Sequence, residues 1–303
     1  MGHSNQGLIN LSVDIDSVAL YLALYGETSS DEGAAALTAQ TYAVGVGRFL
    51  DLFDDLGVSA TFFAVGRDLE VPGAAEVMRR ASAAGHELAN HTWSHPYDLI
   101  HRDPDEIREE ITRGHQAIAR VGGPLPCGFR APGYNTNTAV LEVLEELGYR
   151  YDASPLPSWP YLAVKYAVMA GVRLRGERSA SIVGDPRMGL ARTAPWRQGN
   201  LVRFPCAVTR WTRLPVIGTS LVALPPLLRR HLAQDAARRD FVSLEFHAVD
   251  LMDVAGDRLP EALRRQKDLA IPWEEKRTRL LEALRILLSS HDAVTLRVAT
   301  SRF

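Results

Sequence analysis

Hydrophobic and polar positions alternate across residues 8–16 (LINLSVDID), with Leu11, Val13 and Ile15 opposite Ser12, Asp14 and Asp16. A period of two predicts a strand carrying both carboxylates on one face. Residues 26–40 are small and polar, which predicts a surface loop leading into a helix. Apolar positions recur at helical spacing over 42–56, and Gly57 supplies the helix-ending residue. The β-branched and aromatic run at 58–65 reads as a strand, 72–84 as a helix stopped by Gly85, and 86–90 as a third strand. Asp103 is placed to cap a charged amphipathic helix over 104–121. A short strand at 128–131, a helix at 138–147 closed by Gly148, and a strand at 149–153 continue the rhythm. It resumes at 241–246 with a strand that runs into His247, then a helix at 272–289 and a last strand at 293–298.

Strands alternating with helices through short connections predict βα units around a parallel sheet, closed or doubly wound. Ligands in such folds gather at the C-terminal ends of the strands. Asp14, Asp16, His91, His95, Arg130, Asp152 and His247 all fall there. Residues 156–240 interrupt the repeat with prolines, tryptophans and arginine-spaced apolar runs. A structureless loop of that length would be unusual, so the segment is read as a structured insertion over the site. It then belongs to one domain spanning 1–303, not to a second one.

Composition narrows the function classes. The 303 residues carry a formal net charge of −2, so nothing electrostatic favours nucleic acid or an anionic membrane. Cys127 and Cys206 are the two cysteines, too few for a disulfide framework. No apolar run approaches the roughly 18 residues of a membrane span. The first residues have no secretory pattern, and a cytoplasmic location is expected.

The chemistry centres on Asn90-His91-Thr92-Trp93-Ser94-His95-Pro96. Histidines four apart share a face if the turn is helical, and converging imidazoles form half of a transition-metal site. The bland alternative is one packed and one exposed histidine. Two aspartates ending an apolar strand are costly unless a metal or a reaction uses them, the alternative being helix caps. His86, His101, His115, His231 and His291 lack a partner pattern and read as structural or solvated.

With these positions assembled, the chain resembles the NodB-homology polysaccharide deacetylases, carbohydrate esterase family four. It looks closest to the Asp-x-Asp branch with peptidoglycan-deacetylase-like proteins and cyclic imide or allantoin hydrolases. Five stretches carry the likeness in order: Ser-Val-Asp-Ile-Asp-Ser, Asn-His-Thr-Trp-Ser-His-Pro, Phe-Arg-Ala-Pro-Gly-Tyr, Tyr-Asp-Ala-Ser and Glu-Phe-His. The resemblance implies a distorted (β/α) barrel with the long insertion near its C-terminal face. It also implies one divalent metal, zinc by expectation with Co2+ or Ni2+ able to substitute, held by Asp16, His91 and His95. By the same likeness Asp14 is the general base, Arg130 its partner, His247 the general acid, and Asp152 the residue that orients His247. Gly133 stands where many members have a tyrosine whose N–H helps hold the oxyanion, so either Gly133 or Tyr134 supplies that donor. Tyr134 and Trp159 are candidates to line the substrate pocket.

The implied activity is hydrolysis of a C–N amide bond, foremost N-deacetylation of an N-acetyl sugar, glycan or glycolipid. A cyclic imide or ureide hydrolase and a catalytically inactive metal-dependent binding protein are the alternatives. The expected partner is a small-molecule or glycan substrate, with no nucleic acid and no transmembrane segment; homo-oligomerisation is left open.

Overall fold

The computed structural model describes residues 6–27, 29–174, 182 and 184–303. Its centre is β1 (Gly7–Asp14), whose polar positions Asn10, Ser12 and Asp14 are buried like its apolar ones. Ile9, Leu11 and Val13 face the helices and join the main core. The polar side faces into the curled sheet, where each side chain makes at least one hydrogen bond. Asn10 Nδ2 donates to Thr61 Oγ1 and Val294 O, each at 3.1 Å, and Ser12 Oγ donates to Leu244 O. Buried polar groups satisfied in this way cost little, and they make a polar barrel interior tenable.

Parallel strands flank β1 on both sides. β2 (Thr61–Ala64), β3 (Glu87–Asn90), β4 (Gly128–Phe129) and β5 (Tyr151–Asp152) follow on one side, and β8 (Phe241–His247) lies on the other. A hairpin of β6 (Trp196–Gln198) and β7 (Leu201–Arg203) extends the β5 edge, with β7 parallel to β5. Residues just past β7 reach across to β8, where Ala207 N donates to Ser243 O. The result is a distorted, half-closed α/β barrel, the fold class expected.

Helices sheath the outside. α1 (Val18–Leu24) and α2 (Asp31–Gln40) precede a π-helical stretch, Thr41–Val46, that runs directly into α3 (Gly47–Leu56). α4 (Ala74–Ala83), α5 (Pro104–Val121) and α6 (Thr138–Glu146) follow their strands. α7 (Trp159–Leu174), α8 (Gly218–Ala223), α9 (Pro226–Ala236) and α10 (Trp273–Leu288) complete the coat. Asp103 caps α5 as expected, and Glu106 returns the bond to close a capping box.

Four expectations change. The loop expected at 26–40 contains α2, started by Ser30 Oγ on Gly33 N and by Asp31 and Glu32 in its first turn. The last strand is β9 (His291–Ala293), and the chain then turns into α11 (Leu296–Ala299), capped by Thr295. β1 stops at Asp14, so Asp16 sits in the following loop and does not share the strand's face. Residues 156–240 are only partly a cover: α7 leaves the C-terminal end of β5, but β7 belongs to the sheet. α8 and α9 pack against α10, with Leu221, Val222 and Leu232 in the main core. Both cysteines are buried and free. No described helix is long and apolar enough to cross a membrane.

Candidate active site

β1 and β8 are in register so that Asp14 lies beside His247 and Ser12 beside Glu245. Arg130 follows β4, and its N–H is bonded to Asn90 O. The guanidinium is fully buried and lies 4.2 Å from the Phe63 ring centre. Nη1 donates to Asp14 Oδ1 at 2.6 Å, Nη2 to Ser12 Oγ at 3.0 Å and Nε to Ala153 O at 2.9 Å. Asp14 is thus fixed through one oxygen, while Oδ2 faces His91 Nε2 at 4.0 Å. Burial raises the Asp14 carboxyl most, and Arg130 and His91 only partly offset it, so its pKa stays above the ordinary value.

His91 and His95 do not converge on a helical turn, as the spacing suggested. Thr92 and His95 take left-handed backbone, φ 70 and 59°, in a loop that side chains hold. Asn90 Oδ1 accepts from Thr92 N and Thr92 Oγ1 from His95 N. Glu110 of α5 accepts from Ser94 N and Ser94 Oγ. The helix approaches this loop without an intervening side chain: a Cβ on Gly114 would lie 2.4 Å from Asn90 Oδ1 and 2.9 Å from Thr92 O. Asp16 Oδ1 reaches 3.2 Å from His91 Nε2 and 3.1 Å from His95 Nε2.

The three ligand atoms lie within 4.8 Å of one another. Asp16 Oδ1 and both His95 nitrogens are buried without hydrogen-bond partners. His91 Nδ1 lies 2.7 Å from Arg130 O, a contact that places its proton on Nδ1 and turns a lone pair on Nε2 inward. One carboxylate and two imidazoles with unsatisfied atoms fit a divalent transition metal.

The orienting role expected of Asp152 does not hold. Asp152 Oδ2 accepts from Arg203 Nε at 2.7 Å, and its Oδ1 accepts from the Ser154 hydroxyl. The carboxylate beside His247 is Glu245, with Oε1 2.9 Å from Nδ1. His247 Nε2 then points toward Asp16 Oδ2, 3.9 Å away. Burial opposes charge on His247, but Glu245, Asp16 and Asp14 outweigh it and hold its pKa well above the ordinary value. Residues two apart on a strand share a face, so the Glu-Phe-His spacing already contained this pair. Arg203 had no such local cue, because it meets Asp152 only through β5–β7 pairing. Arg203→Met would strand a buried carboxylate and should lower unfolding free energy by about 3–5 kcal/mol, read by chemical denaturation.

Aromatic rings pack around these side chains: Tyr21 lies edge-on to His247, Tyr97 to His95, and Tyr161 to Tyr134. Tyr134 is buried, and its N–H is bonded to Ala131 O. Trp159 is 53% exposed at the start of α7.

Residues 31–151 match the family model described as polysaccharide deacetylase. The peptidoglycan deacetylase of Helicobacter pylori is 32% identical over 150 residues, 48% of this chain and 49% of that protein. Over this part the chain is similar to polysaccharide deacetylases. Another relative is the chitooligosaccharide deacetylase of a Bradyrhizobium species, 42% identical over 85 residues, 27% of this chain and 37% of that one. The chain spans about half or less of the length of these curated relatives. A Mycobacterium smegmatis crystal structure assigned to the polysaccharide deacetylases shares the fold, with a TM-score of 0.62 at 18% identity over 100% of this chain and 92% of that one. A family 4 carbohydrate esterase pseudoenzyme from Bacillus anthracis also shares it, with a TM-score of 0.50 at 12% identity over 99% of this chain and 67% of that one.

Proposed function

We propose that this protein is a metal-dependent hydrolase that removes an N-acyl group, foremost N-acetyl, from a glycan. The observation that carries the reading is that two clusters, Asp16, His91 and His95 and Asp14, Glu245 and His247, lie side by side, with Asp14 Oδ2 4.0 Å from His91 Nε2 and Asp16 Oδ2 3.9 Å from His247 Nε2. A divalent cation held by Asp16, His91 and His95, zinc by expectation, would polarise the acyl carbonyl and acidify water. Asp14 Oδ2, the oxygen not bonded to Arg130, takes the proton of the attacking water. Gly133 N–H supports the developing oxyanion, since the Tyr134 N–H is already bonded to Ala131 O. His247 Nε2 gives a proton to the departing nitrogen while Glu245 stabilises the charged ring. The surrounding tyrosine rings suit a sugar ring.

The test is release of acetate from a panel of N-acetyl glycans against ring opening of cyclic imides, with and without added zinc. Acetate release that a chelator stops and zinc restores is the expected result. Ring opening alone would overturn the glycan assignment. The His91→Ala/His95→Ala double variant should lose its zinc by elemental analysis. Full occupancy in that variant would remove these residues from the ligand set.

A further inference from the structure

His247 ends β8, and the residues after it, Ala248–Leu251, form a buried 3₁₀ turn gripped by several separate elements. Gly45, in the π-helical stretch, backs directly onto this turn: a Cβ there would lie 2.7 Å from Ala248 O. Arg48 of α3 donates to Leu251 O at 2.7 Å, and Lys276 of α10 donates to Val249 O at 3.2 Å. Lys276 is fully buried, and burial holds its pKa below the ordinary lysine value. A lysine in such a place is costly unless its ammonium is bonded, and the turn supplies the acceptor.

The remaining grip comes from α8. Asp250 Oδ1 accepts from Thr219 Oγ1 at 3.2 Å, while Oδ2 accepts from the backbone N–H of His247 at 2.9 Å. Gly218 leaves room for this arrangement, because a Cβ there would collide with Asp250 Oδ2 and lie 2.8 Å from Phe246 Cδ1. Asp250 is buried, with Glu245 and Asp268 as acidic neighbours and His247 and Lys276 as basic ones. Burial raises its carboxyl to about 7. Near neutral pH it therefore serves His247 as a hydrogen-bond acceptor as much as a charge. The other end of the same histidine is the imidazole, with Nδ1 2.9 Å from Glu245 Oε1 and Nε2 turned toward Asp16. Backbone and ring are thus fixed by two different carboxylates.

We propose that Asp250 is a positioning residue for the general acid. Through the His247 N–H it fixes the backbone from which the imidazole reaches the departing nitrogen, and Gly218, Thr219 and Lys276 hold Asp250 and its turn in place. This deepens the hydrolase reading and rests on it. Since α8 lies within residues 156–240, that segment contributes to the placement of the acid.

Three variants test this, each assayed well below its melting temperature on an N-acetyl glycan and an aryl acetate, with zinc content measured beside. Asp250→Val removes the acceptor, Asp250→Asn keeps it without the charge, and Gly218→Ala pushes on the carboxylate from α8. Asp250→Val should lose about 10–10²-fold on the amide, since a misplacement of about 1 Å costs up to that much. It should keep most of its rate on the activated ester, which needs no acid, and all of its zinc. Gly218→Ala should show the same bias and decides the matter where Asp250→Val fails to fold. Asp250→Asn should retain most of both rates. Equal losses on amide and ester, or an asparagine variant as impaired as the valine one, would overturn the positioning role. NMR titration of the His247 ring reads the placement without turnover. A ring that leaves Glu245 loses its main support, so its pKa should fall further in Asp250→Val than in Asp250→Asn. Equal midpoints in the two variants would likewise overturn the role. That difference in a protein that releases no acetate would keep the positioning of His247 and remove the hydrolase reading instead.

Discussion

Replacing Asp14 by asparagine should cut turnover on an N-acyl glycan by about 10²–10⁴-fold, the usual cost of losing a general base, yet leave zinc bound. The two halves of this expectation come from different contacts. Asp16 Oδ1, not Asp14, lies between the two imidazoles at 3.2 and 3.1 Å. An asparagine could still accept from Arg130 Nη1 through its carbonyl oxygen, so the 2.6 Å contact has a neutral substitute. What the amide cannot do is take a proton from water. Arg130 loses its closest counter-charge in a fully buried position, so some stability should be lost as well. Single-turnover kinetics well below the melting temperature, beside equilibrium dialysis with zinc, separates chemistry from folding. Near-normal turnover would refute the assignment of the base, and loss of zinc would move Asp14 into the ligand set.

The second large effect is expected at His247 and depends on the leaving group. An amine leaves poorly without a proton, whereas an activated phenol leaves without help. His247→Ala should therefore abolish amide hydrolysis, by about 10²–10⁴-fold, and spare part of the activity on an aryl acetate. Glu245→Gln should give a weaker version of this bias together with a pH signature. The charged form of His247 is supported chiefly by Glu245, so removing that carboxylate lowers the histidine's pKa. The acid must be protonated to act, so the alkaline limb of the activity profile should move to lower pH. Asp152→Asn should leave the alkaline limb in place, because that carboxylate faces Arg203. Equal losses on amide and ester in His247→Ala, or an alkaline limb that follows Asp152, would overturn the assignment.

These expectations show where the sequence was informative. The alternation in β1 placed Asp14, the Asn-His-x-x-x-His-Pro stretch placed two of three candidate ligands, and Asp103 placed the start of α5, because each feature is local. α2 was missed because its small residues form no strong apolar stripe, although Ser30, Asp31 and Glu32 mark its start. β9 and α11 were merged into one strand because Val294, Leu296 and Val298 alternate with polar residues; Thr295 capping the helix was the neglected cue. Asp152 was assigned by likeness to a family pattern, and the partner that claims it, Arg203, arrives from a strand some fifty residues later. Long-range pairing of that kind leaves no periodic trace in the chain.

The contact between Gly114 and the loop at 91–95 has a mechanical consequence. Helix backbone rests directly on Thr92, so no side chain can give way between them. Glu110, one turn earlier on the same helix, grips Ser94 through two bonds. α5 and the two imidazoles therefore behave as one rigid piece: sliding the helix by even a fraction of a turn would carry His91 and His95 away from Asp16, which is anchored to β1. The spacing of the candidate ligands is in effect a readout of how α5 seats on the sheet. A bulky residue at Gly114, pressed against Asn90 and Thr92, should act like damage to the metal centre itself.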